Sequence, residues 1–293
     1  MDEYSTYLQS NYASDLAFCG QYIFSFGSNY ALATRMFPAD VREATIIFYS
    51  LLRYADELID NPGVDFPGKS HNNLDEFIAE YQNVFKTGQT DSAHPIIRAN
   101  YFLFQKYTIP KEYLDDFFAA MKQDATVTRY EIYKDLVGYM WGSATIVGHV
   151  MTYFTGFSDK VAFEHAQALA EGMQLANFLR DIDEDYQDRG RIYLPQQEMK
   201  LFGVTEEMIA DRNFSPQLQN LIRHFVERTE KLFDAGEAGI RYLNKGRFPI
   251  RLASRIYRYN LTLLKKRNYN LFGSKIRVSR FRKMIILVKT IFG

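Results

Sequence analysis

Two acidic stretches carry the residues with the clearest chemical potential. In the first, Gln174, Asn177, Asp181 and Asp185 are spaced three, four and four residues apart, so an α-helix places all four on one face. Carboxylates four residues apart repel each other and cost a bare helix a few tenths of a kcal/mol. A hard divalent cation such as Mg²⁺ would offset this repulsion, because it takes oxygen ligands and often bridges carboxylates to a phosphate. The stretch therefore predicts a face that binds Mg²⁺ and phosphate.

A second face of the same kind lies upstream. Tyr49, Arg53, Asp56 and Asp60 follow one another at helical spacing and form one stripe. A single Asp-x-x-x-Asp pair is usually a solvated helix face. Two such pairs, about 120 residues apart and each at the end of a largely apolar helix, favour a different interpretation. Two facing rows of carboxylates would bind Mg²⁺ and a diphosphate between them.

The elements that must position these faces are predicted to be helices. Apolar residues recur at helical spacing through most of the chain, and we find no strand-rich region, internal repeat or convincing domain boundary. Pro and Gly residues mark the predicted ends. The predicted helices are 5–19, 29–37, 38–60, 73–86, 95–107, 110–121, 158–185, 216–243 and 249–268, with 192–195 extended. We therefore expect one all-α domain over residues 1–293, a large helical bundle.

A stretch rich in small residues, 131–155, is a further candidate wall. It contains Gly138, Gly142 and Gly148 among apolar residues. Small residues on a helix allow the close approach of either another helix or a ligand chain, and the pattern leaves both possibilities open.

Composition limits the cellular setting. Of the 293 residues, 47% are hydrophobic and one is a cysteine, Cys19, so no disulfide framework is possible; this fits a reducing compartment. The N-terminal stretch lacks the basic and apolar regions of a signal peptide. The sequence contains no run of about 18 apolar residues, so we expect no transmembrane helix. We expect a cytoplasmic monomer.

Charge is distributed unevenly. Lys and Arg total 35, as do Asp and Glu, but residues 241–293 hold 15 Lys and Arg and no acidic residue. Such a segment indicates nucleic acid, a membrane surface or an anionic substrate, and the acidic remainder argues against nucleic acid. Residues 280–289, within a basic and apolar tail at about 276–293, mix cations with apolar residues. We expect this tail to pack on the bundle; the alternative is peripheral contact with the inner face of an anionic membrane.

Both acidic stretches resemble signatures of the squalene/phytoene synthase family, the head-to-head prenyl synthases of the isoprenoid synthase fold. The Arg-x-x-Asp-Asp-x-x-Asp signature is similar to residues 53–60, with Glu57 in place of the middle Asp. The Asn-x-x-Arg-Asp-x-x-Glu-Asp signature, followed by Arg-Gly-Arg-x-Tyr-x-Pro, is matched nearly in full by residues 177–195. The resemblance covers roughly residues 20–285 and implies an all-α bundle around a central apolar cavity.

The resemblance also implies roles for individual residues. Two or three Mg²⁺ ions would bind Asp56, Asp60, Asn177, Asp181 and Asp185. Two residues match family tyrosines: Tyr139 near the reacting carbons and Tyr257 near the diphosphate. The other matches are substrate-binding residues: Ser28, Asn29, Tyr49, Arg53, Gln174, Asn177, Arg180 and Lys275.

Simpler interpretations remain for some of these side chains. Tyr139 and Tyr257 could be core tyrosines with satisfied hydroxyl groups. Arg180 and Arg191 could form surface ion pairs with Glu184 or Asp188.

By this resemblance we expect Mg²⁺-dependent condensation of two geranylgeranyl diphosphates to phytoene through a cyclopropyl diphosphate, without NADPH. The alternative is a C30 synthase that converts farnesyl diphosphate to dehydrosqualene or squalene, because cavity depth sets chain length. A non-enzymatic assembly or binding relative would tend to lose the aspartates, and all four outer aspartates are present. A class I terpene cyclase would carry Ser or Thr where Arg180 stands.

Overall fold

The computed structural model of the chain describes residues 3–25, 30–60, 63–66 and 68–292. Within these ranges the α-helices are α1 Glu3–Ser10, α2 Tyr12–Ser25, α3 Tyr30–Arg35, α4 Ala39–Asp60, α5 Leu74–Thr87, α6 Pro95–Tyr107, α7 Glu112–Asp124, α8 Tyr133–Met140, α9 Ile146–Thr155, α10 Ala162–Arg189, α11 Gln196–Leu201, α12 Glu206–Ala210, α13 Pro216–Ala238, α14 Arg247–Lys266 and α15 Arg280–Phe292. A π-helical turn, Trp141–Thr145, joins α8 to α9, and a 3-10 turn, Gly239–Tyr242, follows α13. The described residues contain no strand, which confirms the all-α prediction.

The two helices that carry the acidic faces are anchored in different parts of the core. In α4, Val41, Phe48 and Leu51 pack into a cluster with residues of α2, α5, α6, α7 and α9. In α10, Leu179 and Ile182 pack into a second cluster with α13 and α14. Each helix therefore buries one side in its own cluster and turns another toward the space between them. This arrangement is a helical bundle with a space between its two core clusters.

The end of α10 brings the chain back toward the acidic faces. Gly190 adopts a left-handed conformation with φ 62°, which glycine tolerates without steric cost. Its N–H donates to the carbonyl of Tyr186 at 2.8 Å. The chain then runs extended, as predicted, and the N–H of Ile192 donates to Thr128 at 3.0 Å. The turn thereby places Arg191 and Tyr193 next to the C-terminal end of α7.

Two of the three glycines in 131–155, Gly142 and Gly148, pack closely against other helices, whereas a Cβ on Gly138 would meet nothing within 4 Å. A Cβ on Gly142 would lie 2.5 Å from the Cβ of Ala120, and one on Gly148 would lie 2.8 Å from the carbonyl oxygen of Ala166. These glycines therefore allow α7 and α10 to approach closely. The structure supports a helix neighbour at both positions, and Gly148 also borders an internal cavity, so the possibility of a ligand chain stays open there.

Some predicted boundaries differ from the structure. The first predicted helix is interrupted at Asn11, a residue of low helix propensity. The helix α10 begins at Ala162 rather than Ser158. The helices α11 and α12 were not predicted, because each is short and buries a single apolar side chain, Met199 or Ile209. Four residues that mark predicted helix ends, Gly27, Ser28, Asn61 and Pro62, lie outside the described residues.

The basic tail forms α15 and packs on α14, as expected. Ile286 is buried in a small cluster with Leu252 and Ile256 of α14. Among the described residues, we find no helix with the length and apolar character needed to cross a bilayer.

Candidate active site

The predicted site residues converge on one cavity of about 1190 Å³. All those in the described ranges line it: Tyr49, Arg53, Asp56, Asp60, Tyr139, Gln174, Asn177, Arg180, Asp181, Asp185, Tyr257 and Lys275. Ser28 and Asn29 lie outside the described residues. The two acidic stripes therefore face the same space, although about 120 residues separate them in the sequence.

The cavity continues far from the carboxylates along apolar walls. On α10 its lining extends from Asp185 back to Ala162, and the distance from Asp181 to Ala162 is roughly 28 Å at the helical rise per residue. The side chains that line this part are mostly apolar and include Phe37, Ile46, Val147, Met151, Leu169 and Ile240. The cavity thus has a charged end and a long apolar interior.

Two carboxylates at the charged end are poorly stabilised as anions. The pKa of Asp56 is raised to about 7, first by burial and then by repulsion from Asp60, while Arg53 opposes the shift. The pKa of Asp185 is also raised to about 7, first by burial and then by repulsion from Asp181. An added cation would reverse both shifts, because an opposite charge favours the ionised form.

The other two aspartates are held by arginines. The Nη2 of Arg189 lies 2.9 Å from Oδ2 of Asp60, which links the ends of α10 and α4. The Nε of Arg180 donates to Oδ1 of Asp181 at 2.8 Å. The sequence suggested Glu184 or Asp188 as ion-pair partners of Arg180, and the structure adds the neighbouring Asp181, which the sequence interpretation did not name.

The oxygen donors at this end fit a hard divalent cation. Asn177 Oδ1 is buried and accepts no hydrogen bond within the described part of the chain, and a buried unsatisfied oxygen is costly. In the described ranges, Asp56 and Asp185 likewise have no ion pair. Carboxylate and amide oxygens are the ligands that Mg²⁺ takes.

The side chains are not arranged as a closed metal site in this structure. Across the ranges that the structure describes, no three acidic, histidine or cysteine side chains converge closely enough to hold a metal ion. The physical reason is that Asp60 and Asp181 turn their oxygens toward guanidinium groups.

A further aspartate of the site, Asp124 at the end of α7, was not predicted from the sequence. Its Oδ1 accepts hydrogen bonds from the hydroxyls of Tyr193 at 2.7 Å and Tyr139 at 2.9 Å. Its Oδ2 accepts from Nη1 of Arg191 at 2.8 Å. Asp124 lines the cavity and raises the pKa of both Asp56 and Asp185. The suggested surface ion pair of Arg191 is wrong, since its partner is this partly buried carboxylate.

Aromatic rings stand beside Asp124. The rings of Phe178 and Tyr193 stack with centroids 4.0 Å apart, and the ring of Tyr139 is stacked on Tyr193 at 5.9 Å. Tyr139 is buried, as the simpler interpretation proposed, and its hydroxyl is satisfied, yet it also lines the cavity. Burial raises the pKa of Tyr139 well above its usual value. Its hydroxyl therefore stays protonated at neutral pH.

The remaining wall comes from α14 and the segment after it. Tyr257 of α14 is buried against the second core cluster and lines the cavity, so its setting agrees with the simpler interpretation of a core tyrosine and with a place at the site. Lys275 forms an ion pair with Glu184 of α10, and Arg277 also lines the cavity. The sequence signal for Arg189 and Tyr193 was present in the Arg-Gly-Arg-x-Tyr segment, whereas Asp124 lies in no recognised motif.

Comparisons with known proteins agree with this geometry. A family model described as squalene/phytoene synthase matches residues 25–282. Among curated proteins, the chain is 26% identical to a phytoene synthase of Arthrospira platensis, covering 92% of this chain and 90% of that protein. It is 28% identical to a chloroplastic phytoene synthase of Daucus carota, covering 92% of this chain and 68% of that protein.

Solved structures show the same similarity in three dimensions. A dehydrosqualene synthase in complex with a ligand superposes with a TM-score of 0.85 at 27% identity, covering 96% of each chain. The squalene synthase HpnC of Alicyclobacillus acidocaldarius superposes with a TM-score of 0.79 at 25% identity, covering 89% of this chain and 97% of that one.

Proposed function

This chain belongs to the squalene/phytoene synthase family of head-to-head prenyltransferases, and we propose that it condenses two molecules of geranylgeranyl diphosphate to phytoene. The observation that carries the proposal is the single cavity that joins two acidic faces to a deep apolar interior. Such a space suits a substrate with an anionic head and a long hydrocarbon chain.

We propose two or three Mg²⁺ ions as the cofactor, held by Asp56, Asp60, Asn177, Asp181 and Asp185. When bound, Mg²⁺ neutralises the charge of the departing diphosphate. Two observations support this assignment. Asn177 Oδ1 accepts no hydrogen bond among the described residues, and burial raises the pKa values of Asp56 and Asp185 despite the nearby arginines. Arg189 and Arg180 would release their aspartates and contact diphosphate oxygens, which guanidinium groups bind well.

The proposed reaction has two half-reactions. In the first, the bond between C1 and the diphosphate oxygen of one molecule breaks, and C1 bonds to the C2=C3 double bond of the second molecule. Loss of a proton gives a cyclopropyl diphosphate and free diphosphate. In the second, the remaining carbon–oxygen bond breaks, the carbon skeleton rearranges to a C1–C1′ link, and loss of a second proton gives phytoene. No reductant is consumed, so NADPH is not part of the proposal.

The walls would protect the cationic intermediates. Apolar residues such as Met151 and Leu169 exclude water, which would otherwise quench a carbocation. The stacked rings of Tyr139, Phe178 and Tyr193 offer π-faces that attract positive charge. Asp124 fixes two of these rings through their hydroxyls. We therefore propose that Tyr139 acts through its ring and its position, with its hydroxyl retained as a hydrogen-bond donor.

The choice of a C20 substrate rests on length. An extended geranylgeranyl chain spans roughly 20 Å, at about 1.3 Å per bond along a zigzag of single bonds near 1.5 Å, and the α10 wall extends farther than this. The phytoene synthases of Arthrospira and Daucus are consistent with it. The second candidate, a C30 synthase that uses farnesyl diphosphate, is favoured by the high structural similarity to a dehydrosqualene synthase.

Product analysis by gas chromatography and mass spectrometry tests these alternatives. Purified protein would receive farnesyl or geranylgeranyl diphosphate separately, with Mg²⁺, with and without NADPH. A C40 hydrocarbon that forms irrespective of NADPH supports the proposal. A C30 product indicates a dehydrosqualene synthase if NADPH is ignored and a squalene synthase if it is consumed. A cyclic product from one substrate molecule, or no hydrocarbon, contradicts the proposed reaction.

We further propose that residues 1–293 form one domain that acts as a monomer in the cytoplasm. The support is that α4 and α10, from separate core clusters of one chain, line the same cavity. Light scattering after size-exclusion chromatography tests the monomer, and a dimer mass contradicts it.

A further inference from the structure

The C-terminal helix α15 has two apolar faces, and its neighbours cover one of them. Ile286 and Thr290 are buried on the face toward α14. A second set of apolar side chains is exposed, with Phe281 76% and Phe292 86% accessible. The exposed set is Phe281, Met284, Val288, Ile291 and Phe292. These positions recur every three or four residues, so they form one continuous stripe along the helix.

This exposed stripe is unusual within the described part of the chain. Large apolar side chains exposed elsewhere there are scattered singly, such as Leu8, Val64 and Leu201, and single exposed residues need no explanation. On α15 five of them share one face of a 13-residue helix. A continuous apolar face indicates a contact surface.

Cations border the stripe on both sides. At about 100° per residue, Arg280 lies at one edge of the stripe and Lys289 at the other, and both are exposed. Arg282 contributes a further cation and packs over the ring of Tyr259. No acidic residue occurs between residues 241 and 293, so nothing in this segment offsets the positive charge.

We propose that the exposed stripe of α15 docks on a lipid bilayer that carries anionic headgroups. An amphipathic helix with apolar residues on one side and Lys or Arg at its borders inserts into the headgroup region and is attracted by anionic lipid. At 13 residues the helix is about 20 Å long, shorter than the hydrocarbon core of a bilayer of about 30 Å. It therefore lies in the plane of the membrane surface.

The cavity and α15 contact different residues of α14. One face of α14, with Pro249, Ala253 and Tyr257, lines the cavity, and another face, with Leu252 and Ile256, packs on α15. The docking surface is separate from the residues assigned to catalysis.

Vesicle co-sedimentation of the purified full chain tests the proposal. The vesicles would contain phosphatidylcholine alone or with phosphatidylglycerol, and no substrate would be added, so the result is independent of the proposed reaction. One variant combines Phe281→Gln with Val288→Gln, and a second combines Arg280→Gln with Lys289→Gln. The matched control is Leu201→Gln, which changes an apolar side chain that is 79% exposed outside α15.

We expect the unaltered chain to bind the anionic vesicles about tenfold more tightly than the neutral ones. The apolar variant should bind both vesicles at least about tenfold more weakly. The charge variant should lose about fivefold per cation, on anionic vesicles only. Leu201→Gln should have no effect, and all variants should keep the helical circular dichroism of the unaltered chain.

Three results would overturn the proposal. The first is failure of the unaltered chain to sediment with anionic vesicles. The second is a loss of binding by Leu201→Gln as large as that of the α15 variants. The third is conversion of a dimer to a monomer by the apolar variant, with no vesicle binding by the unaltered chain. That last result would assign the stripe to self-association.

Discussion

Arg189, the last residue of α10, forms an ion pair with Asp60, the last residue of α4, with 2.9 Å between Nη2 and Oδ2. The pair joins the two acidic faces and occupies an oxygen that the proposed Mg²⁺ site needs. Arg189 would therefore compete with a bound cation for this oxygen of Asp60.

The variant Arg189→Gln should bind Mg²⁺ more tightly in the absence of substrate. Partly exposed ion pairs contribute at most about 1 kcal/mol, so the affinity for Mg²⁺ should rise by about fivefold at most. Isothermal titration of Mg²⁺ measures it. Arg212→Gln, which removes a similar exposed pair with Asp183, is the matched control and should leave Mg²⁺ binding unchanged. Equal affinity in all three proteins would show that Arg189 does not compete with the metal.

Removing either central aspartate should abolish turnover and leave the fold intact. We expect Asp56→Ala or Asp181→Ala to lower kcat by at least about 10³-fold, since each removes a ligand that holds the charge-neutralising metal. Steady-state product formation with Mg²⁺ is the measurement, and circular dichroism checks folding. Asp183→Asn, two residues from Asp181 but outside the cavity lining, should retain activity. Normal turnover by Asp56→Ala would refute the metal assignment.

Asp56 and Asp185 should each make the metal-free protein less stable as pH rises from about 4 to 7. The folded chain keeps protons on Asp56 and Asp185 up to about pH 7, whereas the unfolded chain releases them near pH 4. Because the folded state binds more protons in this range, the free energy of unfolding falls as pH increases. Above pH 7 we expect Asp185→Asn to be about 2 kcal/mol more stable than the unaltered chain.

Urea unfolding at pH 5 and pH 8, without and with Mg²⁺, measures this effect. The gain from Asp185→Asn should be small at the lower pH, and Mg²⁺ should stabilise only the unaltered chain at the higher pH. Asp183→Asn again serves as the control. A difference in stability between Asp185→Asn and the unaltered chain that is the same at both pH values would contradict the raised pKa of Asp185.

Loss of the Asp124 carboxylate should destabilise the fold. Asp124→Asn leaves the buried guanidinium of Arg191 without its ion-pair partner, and removing one partner of such a pair costs about 3 kcal/mol. Asp116→Asn, on the same helix but exposed, should cost less than about 1 kcal/mol. Urea unfolding measures both. In a double-mutant cycle, Tyr193→Phe should cost less in the Asp124→Asn background, since the two groups share a hydrogen bond.

A larger side chain midway along the cavity should shorten the product. Ile46 lines the cavity ten residues before Asp56 on α4, about 15 Å away along the helix. Ile46→Phe should reduce the C40 product and favour a C30 product when both substrates are supplied, because the deeper space becomes blocked. Mass spectrometry of the hydrocarbons gives the ratio. Ile46→Val, which removes volume, should leave C40 formation intact; the same product ratio in both variants would argue against a depth limit at this position.

The acidic faces could be predicted from the sequence because helical spacing places Asp56 with Asp60, and Asp181 with Asp185, on one side of a helix. Because the two faces carry the same kind of side chains, the sequence also predicted that they line one cavity. The partners of the arginines could not be predicted, since Arg189 contacts Asp60 across two helices and Arg191 contacts Asp124 across 67 residues. Such contacts depend on tertiary packing, which local spacing does not encode.

The role of Asp124 could not be predicted from local spacing either. Asp124 is a single acidic residue at the C-terminal end of α7, and no repeat of type or spacing distinguishes it. Its importance arises from three donors that reach it from α8 and from the extended segment after Gly190. The short helices α11 and α12 were missed for a related reason, because too few residues repeat for a periodic pattern to emerge.

The π-helical turn at Trp141–Thr145 acts as a phase shift in the helix that passes through it. At about 100° per residue, Val147 would stand roughly 80° around the axis from Tyr139 in a regular helix. The extra residue that a π-turn absorbs reduces this offset to roughly 20°. Tyr139 and Val147 consequently line the same cavity. A deletion of one residue here would rotate the two halves out of register, so the length of this segment is as constrained as its composition.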